Sequence, residues 1–84
     1  NIPYIHFNLG NLLCLSSSFV EAIDSYSKAI RLYPYMGDAY FNRGLVLIYL
    51  KDKEKGCIDL SHAGELGVSD AYGVIKKYCE ETEQ

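Results

Sequence analysis

Apolar residues along this chain recur at intervals of three and four, the spacing of one face of an α-helix. Phe19, Ala22, Ile23, Tyr26, Ala29, Ile30 and Tyr33 form one such stripe, and Glu21, Asp24, Lys28 and Arg31 fall on the opposite side. The pattern predicts five helices, near residues 4–15, 19–32, 38–50, 54–66 and 70–80. No stretch alternates with a period of two for long enough to read as a strand. The breaks carry their own chemistry. Ser16-Ser17-Ser18 interrupts the first two helices, and Ser18 with Glu21 reads as a capping box. Pro34 stops the second helix, because it lacks an amide proton and disfavours helix before it. Asp52 is the expected N-cap of the fourth helix, Gly67 its stop and Ser69 the cap of the fifth. The fourth helix should turn Cys57, Ile58, Leu60, Ala63 and Leu66 inward, and the fifth Ala71, Tyr72, Ile75, Tyr78 and Cys79.

The pattern also repeats. At a shift of 34 residues Phe7 falls on Phe41, Asn8 on Asn42, Gly10 on Gly44 and Leu13 on Leu47, and later Ser27 on Ser61 and Ala29 on Ala63. Ala22 falls on Gly56, so small residues recur where two helices of one unit would cross. At a shift of 32, Asp38-Ala39-Tyr40 returns as Asp70-Ala71-Tyr72, which begins a third unit. A fixed period of this length is the mark of a stacked repeat protein. The expected fold is therefore all-α: a solenoid of two antiparallel helix-turn-helix repeats, residues 3–36 and 37–68, with a capping helix at 69–80 and a frayed acidic tail at 81–84.

Composition narrows the function. With 84 residues the chain has little room for a walled catalytic cleft, and its net charge of −3 leaves no basic footprint for nucleic acid. Cys14, Cys57 and Cys79 are odd in number, form no CxxC pair and accompany an ordinary apolar core, so they are expected to be reduced, which points toward the cytosol. His6 and His62 lie in different repeats, and no base and nucleophile pair along the helices. An enzyme, a metal site and a cofactor are therefore not expected. The first 20 residues carry no Asp, Glu, Lys or Arg, but Pro3, Asn8, Gly10 and the serines break the run before it could insert into a membrane. The chain starts at Asn1 rather than Met, and is expected to be excised from something longer, with its first helix normally covered by protein.

The residues at the repeat positions resemble the tetratricopeptide repeat (TPR) family. The first unit matches at Leu9, Gly10, Ala22, Tyr26, Ala29 and Pro34, with Leu13 where the family often has Tyr and His6 where Trp is commonest. The second matches at Tyr40, Gly44, Leu47, Gly56, Leu60 and Ala63, with Arg43 in place of a leucine and Val68 in place of the closing proline. The stretch from Ala63 to Ala71 is also similar to Sel1-like repeats. The resemblance implies a concave face, lined by the first helix of each unit, that binds a peptide or helix of a protein partner.

The residues expected on that face include Phe7, Asn8 and Asn11 from the first unit, and Phe41, Asn42, Leu45, Ile48 and Tyr49 from the second. The helix near 38–50 is apolar almost all round, so its Phe41, Leu45, Ile48 and Tyr49 stripe faces either neighbouring repeats or a partner. Asn8 and Asn42 recur at one site, where amides could hold an extended peptide backbone or merely solvate the helices. Asn8, Asn11 and Asn42 match the amide sites of the family's carboxylate clamp, but Phe7, Asp38 and Val74 stand where its basic residues would be. Capture of a terminal carboxylate is therefore not expected. The alternative function is structural: a capping segment that self-associates through the uncharged first helix as a homo-oligomer.

Overall fold

A computed structural model describes residues 1–80 as five helices: α1 (Ile2–Leu15), α2 (Phe19–Leu32), α3 (Gly37–Tyr49), α4 (Lys53–Glu65) and α5 (Asp70–Tyr78). No strand occurs among the described residues, and the tail expected at 81–84 lies outside them. Turns of three or four residues force consecutive helices to run antiparallel. Two hairpins result, α1–α2 and α3–α4. The second stacks on α2 through α3, and α5 packs on α4. The molecule is an all-α helical-repeat stack, elongated to 44 × 26 × 16 Å.

The 34-residue period reaches the backbone hydrogen bonds. The Ser17 amide donates to the Cys14 carbonyl and the Ser18 amide to Leu13; Lys51 donates to Ile48 and Asp52 to Leu47 in the same geometry. Each is a Schellman turn, whose penultimate residue adopts a left-handed conformation. Ser17 has φ 62° and Lys51 φ 74°, without the relief a glycine would bring. A third such turn follows α4, with Gly67 at φ 101° and Val68 bonded back to Ala63.

These turns, rather than the serines' side chains, join the first hairpin. Ser18 occupies the N-cap of α2 but makes no side-chain cap bond, so the expected capping box does not form. Its hydroxyl instead lies 3.2 Å from that of Ser16, which donates to the Leu13 carbonyl. Ser69 also occupies an N-cap without a side-chain bond, whereas Asp52 accepts the Lys55 amide at 3.3 Å as expected. Tyr33, the residue before Pro34, is extended and ends α2.

Two apolar clusters hold the stack. Ala22, Tyr26 and Val46 form one, ringed by Phe7, Leu13, Cys14, Phe19 and Ile23. Ala29, Met36 and Ala39 form the other, with Phe7 and Ile30 against it. Close crossings make them possible. A methyl group on Gly10 would meet the Tyr26 ring at 2.6 Å, and one on Gly56 would meet the Gly44 carbonyl at 2.8 Å. Within α4 and α5 the expected inward stripes are only half right: Leu60, Ala63 and Ala71 are fully buried, whereas Ile58, Tyr72 and Tyr78 are exposed. Tyr72 rests only the end of its ring over Gly64 of α4, and Tyr78 faces an open cleft beside Lys51, so both keep much of their surface in solvent.

The cysteines depart from expectation. Cys57 and Cys79 form a disulfide, their Cα atoms 5.8 Å apart, and only Cys14 is a free thiol. Folding α5 back along α4 brings the second turn of α4, at Cys57, beside the end of α5. That juxtaposition depends on tertiary packing and is invisible to cysteine counting. With the pair bonded, the argument for a reducing compartment falls away. The bridge fixes α5 in the place that α3 occupies on α2. At the 32-residue shift Ala71 stands for Ala39 and is equally buried, but Lys76 stands for Gly44.

Candidate functional site: the groove beside the third helix

Helix α3 is positioned from both sides. Arg43 forms a two-pronged ion pair with Asp59 of α4, Nε to Oδ2 at 2.7 Å and Nη2 to Oδ1 at 2.8 Å. Its remaining nitrogen, Nη1, donates at 3.0 Å to the hydroxyl of Ser27 on α2. Charge-assisted bonds of this forked kind are strong and directional. The paired Asp59 carboxylate raises the guanidinium pKa, against the opposing effect of burial. The guanidinium also lies 5.7 Å from the Tyr40 ring centre, and Tyr40 meets His62 edge-on at 4.9 Å.

On another side of α3 lies a second polar cluster. The Tyr26 hydroxyl donates to Asn11 Oδ1 at 2.5 Å, and Asn42 Nδ2 donates to the same oxygen at 2.9 Å. Cys14 Sγ stands 3.5 Å from the Tyr26 hydroxyl. Burial first, and then the Cys14 thiol, push the Tyr26 phenol well above its ordinary range. The cluster ties α1, α2 and α3 together, and aligns the Asn11 and Asn42 amides on adjacent helices.

A groove passes these amides. Its first part, about 310 Å³, is lined by Asn11, Cys14, Leu15, Tyr26, Asn42, Leu45 and Val46. Its second, about 680 Å³, is lined by Leu45, Ile48, Tyr49, Lys51 and Tyr78. Leu45 belongs to both and separates them. The walls are chiefly apolar, with amides at one end and the Lys51 ammonium and two phenols at the other. Such a surface suits an extended or helical chain more than a small polar substrate.

The expected site residues divide along this groove. Asn11, Asn42, Leu45, Ile48 and Tyr49 line it. Ile48 is also committed to packing, since its Cγ1 fills the space over Gly56. Tyr49 is largely exposed, with its ring centre 4.9 Å from that of Phe19. Phe7 packs between the two clusters, 5.9 Å from Tyr26. Asn8 is exposed and does not pair with Asn42, whose partner is Asn11. Phe41 is half-buried on α3 and lines neither part of the groove.

Sequence reasoning missed the Arg43–Asp59 pair. The signal was present: both residues lie eight positions from Lys51, the left-handed residue of the turn, so an antiparallel hairpin sets them opposite one another. In the first hairpin the same two positions hold Leu9 and Ser25. Tyr78 was expected inside and instead closes the far end of the groove. Among the described residues, no three His, Cys, Asp or Glu side chains gather as a metal site, and no helix is long and apolar enough to cross a membrane.

No family model matches the chain, and no curated protein matches it significantly.

Proposed function

We propose that this chain is a TPR-like protein-interaction module that binds a peptide or helix of a protein partner in the groove beside α3. The observation that carries the reading is Leu45, exposed between two apolar clefts, with the Asn11 and Asn42 amides at one end and exposed Tyr49 at the other. An apolar anchor flanked by backbone-binding amides is how a repeat surface holds a chain with both affinity and register. Arg43 keeps the groove rigid by tying α3 to α2 and α4, so little ordering is left for the moment of binding.

Selection of a random peptide display library on the intact protein tests this. Enriched peptides should shift the backbone resonances of Asn42, Leu45 and Tyr49. Leu45→Ala with Tyr49→Ala should weaken them by about tenfold or more, as expected when apolar anchors worth about 1.4 kcal/mol or more are removed, with helical content unchanged. Enrichment no better than on a Leu45→Lys variant would sink the reading.

A further inference from the structure

The outer side of α1 carries a continuous apolar stripe. Ile2, Ile5, Leu9, Leu12 and Leu15 are between 44% and 84% exposed, and no charged residue interrupts them. The internal repeat says what such a stripe does. Shifted by 34 residues, these five positions become Met36, Ala39, Arg43, Val46 and Tyr49. Each of the five touches α2 or the clusters built on it. Met36 and Ala39 pack with Ala29, and Val46 with Ala22 and Tyr26. Arg43 bonds Ser27, and Tyr49 stacks near Phe19. The stripe on α1 is therefore in register with the face by which α3 docks on α2.

We propose that this face of α1 is an inter-repeat docking surface, and that its occupant is a helix of the α2 type from another hairpin of the same repeat. Chemistry favours that occupant over a second copy of the chain as it stands. The α2 surface that would be needed is already covered by α3, and the corresponding surface of α4 is covered by α5, which the Cys57–Cys79 bridge holds in place. A second copy thus has no α2-type face to offer. Leu9 adds a detail. Where Arg43 makes a polar bond to α2, Leu9 is apolar, so the helix that docks on α1 should present an apolar or small residue where α2 presents Ser27. This inference does not depend on the peptide-binding reading.

The test duplicates residues 1–34 in front of the whole chain, which keeps the 34-residue spacing across the junction and supplies an α2-type helix to the original α1. The fused protein should melt at least about 5 °C above the parent, and the amides of the original α1 should exchange more slowly. Leu12→Lys in the original α1 should leave the melting temperature of the parent unchanged, because the side chain is exposed there, and should cancel the gain in the fusion. A fusion that melts at or below the parent, or one indifferent to Leu12→Lys, overturns the proposal. So does a parent dimer that Leu12→Lys dissociates while the fusion gains nothing, which would give the face to a second copy.

Discussion

Arg43 and Asp59 meet through two parallel hydrogen bonds across the α3–α4 hairpin, with the Asp59 side chain only 6% exposed. A carboxylate that deep depends on its partner. Arg43→Ala would leave it charged and unpaired, and should destabilise the fold by about 3–5 kcal/mol. The first hairpin manages the same two positions with Leu9 and Ser25. The double substitution Arg43→Leu with Asp59→Ser should therefore recover most of that loss. Urea denaturation of the three proteins checks this, and a double variant no more stable than Arg43→Ala would refute it.

Gly56 and Gly73 both lie inside helices, yet they should respond in opposite directions to alanine. A methyl at Gly56 would collide with the Gly44 carbonyl and the Ile48 side chain, whereas nothing lies within 4 Å of one at Gly73. Gly56→Ala should cost about 1–3 kcal/mol through overpacking. Gly73→Ala should stabilise by up to about 1 kcal/mol through helix propensity. Thermal melts of both variants separate the effects.

The Cys57–Cys79 bridge closes a loop of 22 residues' separation. Removing the cross-link with Cys57→Ser and Cys79→Ser should lower stability by about 3 kcal/mol on the chain-entropy account. Hydrogen exchange should locate the change in α5 first, because that terminal helix packs chiefly on α4.

Tyr26 should resist ionisation. Its phenol is raised by burial and by the neighbouring thiol, while in the unfolded chain it titrates near pH 10. Above about pH 10 the unfolded state therefore holds fewer protons than the native one, so stability falls as pH rises. Phenolate absorbance should show at least one of the eight tyrosines appearing only with unfolding. Tyr26→Phe should flatten the alkaline fall in stability.

The helices and their stacking were legible because they follow from local periodicity and from small residues that recur at 34-residue spacing. All five expected helix ranges agree with the structure to within two residues at either end, the start of α1 and the end of α5 differing most. What was not legible depends on pairs of positions far apart in sequence. Cys57 and Cys79 become neighbours only when α5 turns back on α4, and Asn42 meets Asn11, 31 residues away, only once α3 is docked beside the first hairpin. The Ser18 capping box looked favourable in sequence, but the Schellman turn at Ser17 already joins the two helices and its hydroxyl goes to Ser16. Of the groove, the apolar run of α3 was visible beforehand; that Leu45 and Tyr49 stay open while Ile48 is spent on Gly56 required the packing itself.

Lys76 makes the stack directional. At the position where Gly44 admits the backbone of its hairpin partner, α5 carries a long cationic side chain, so a helix following it could not nest as α4 nests on α3. A hairpin added by tandem duplication should accordingly stack ahead of α1 more readily than behind α5.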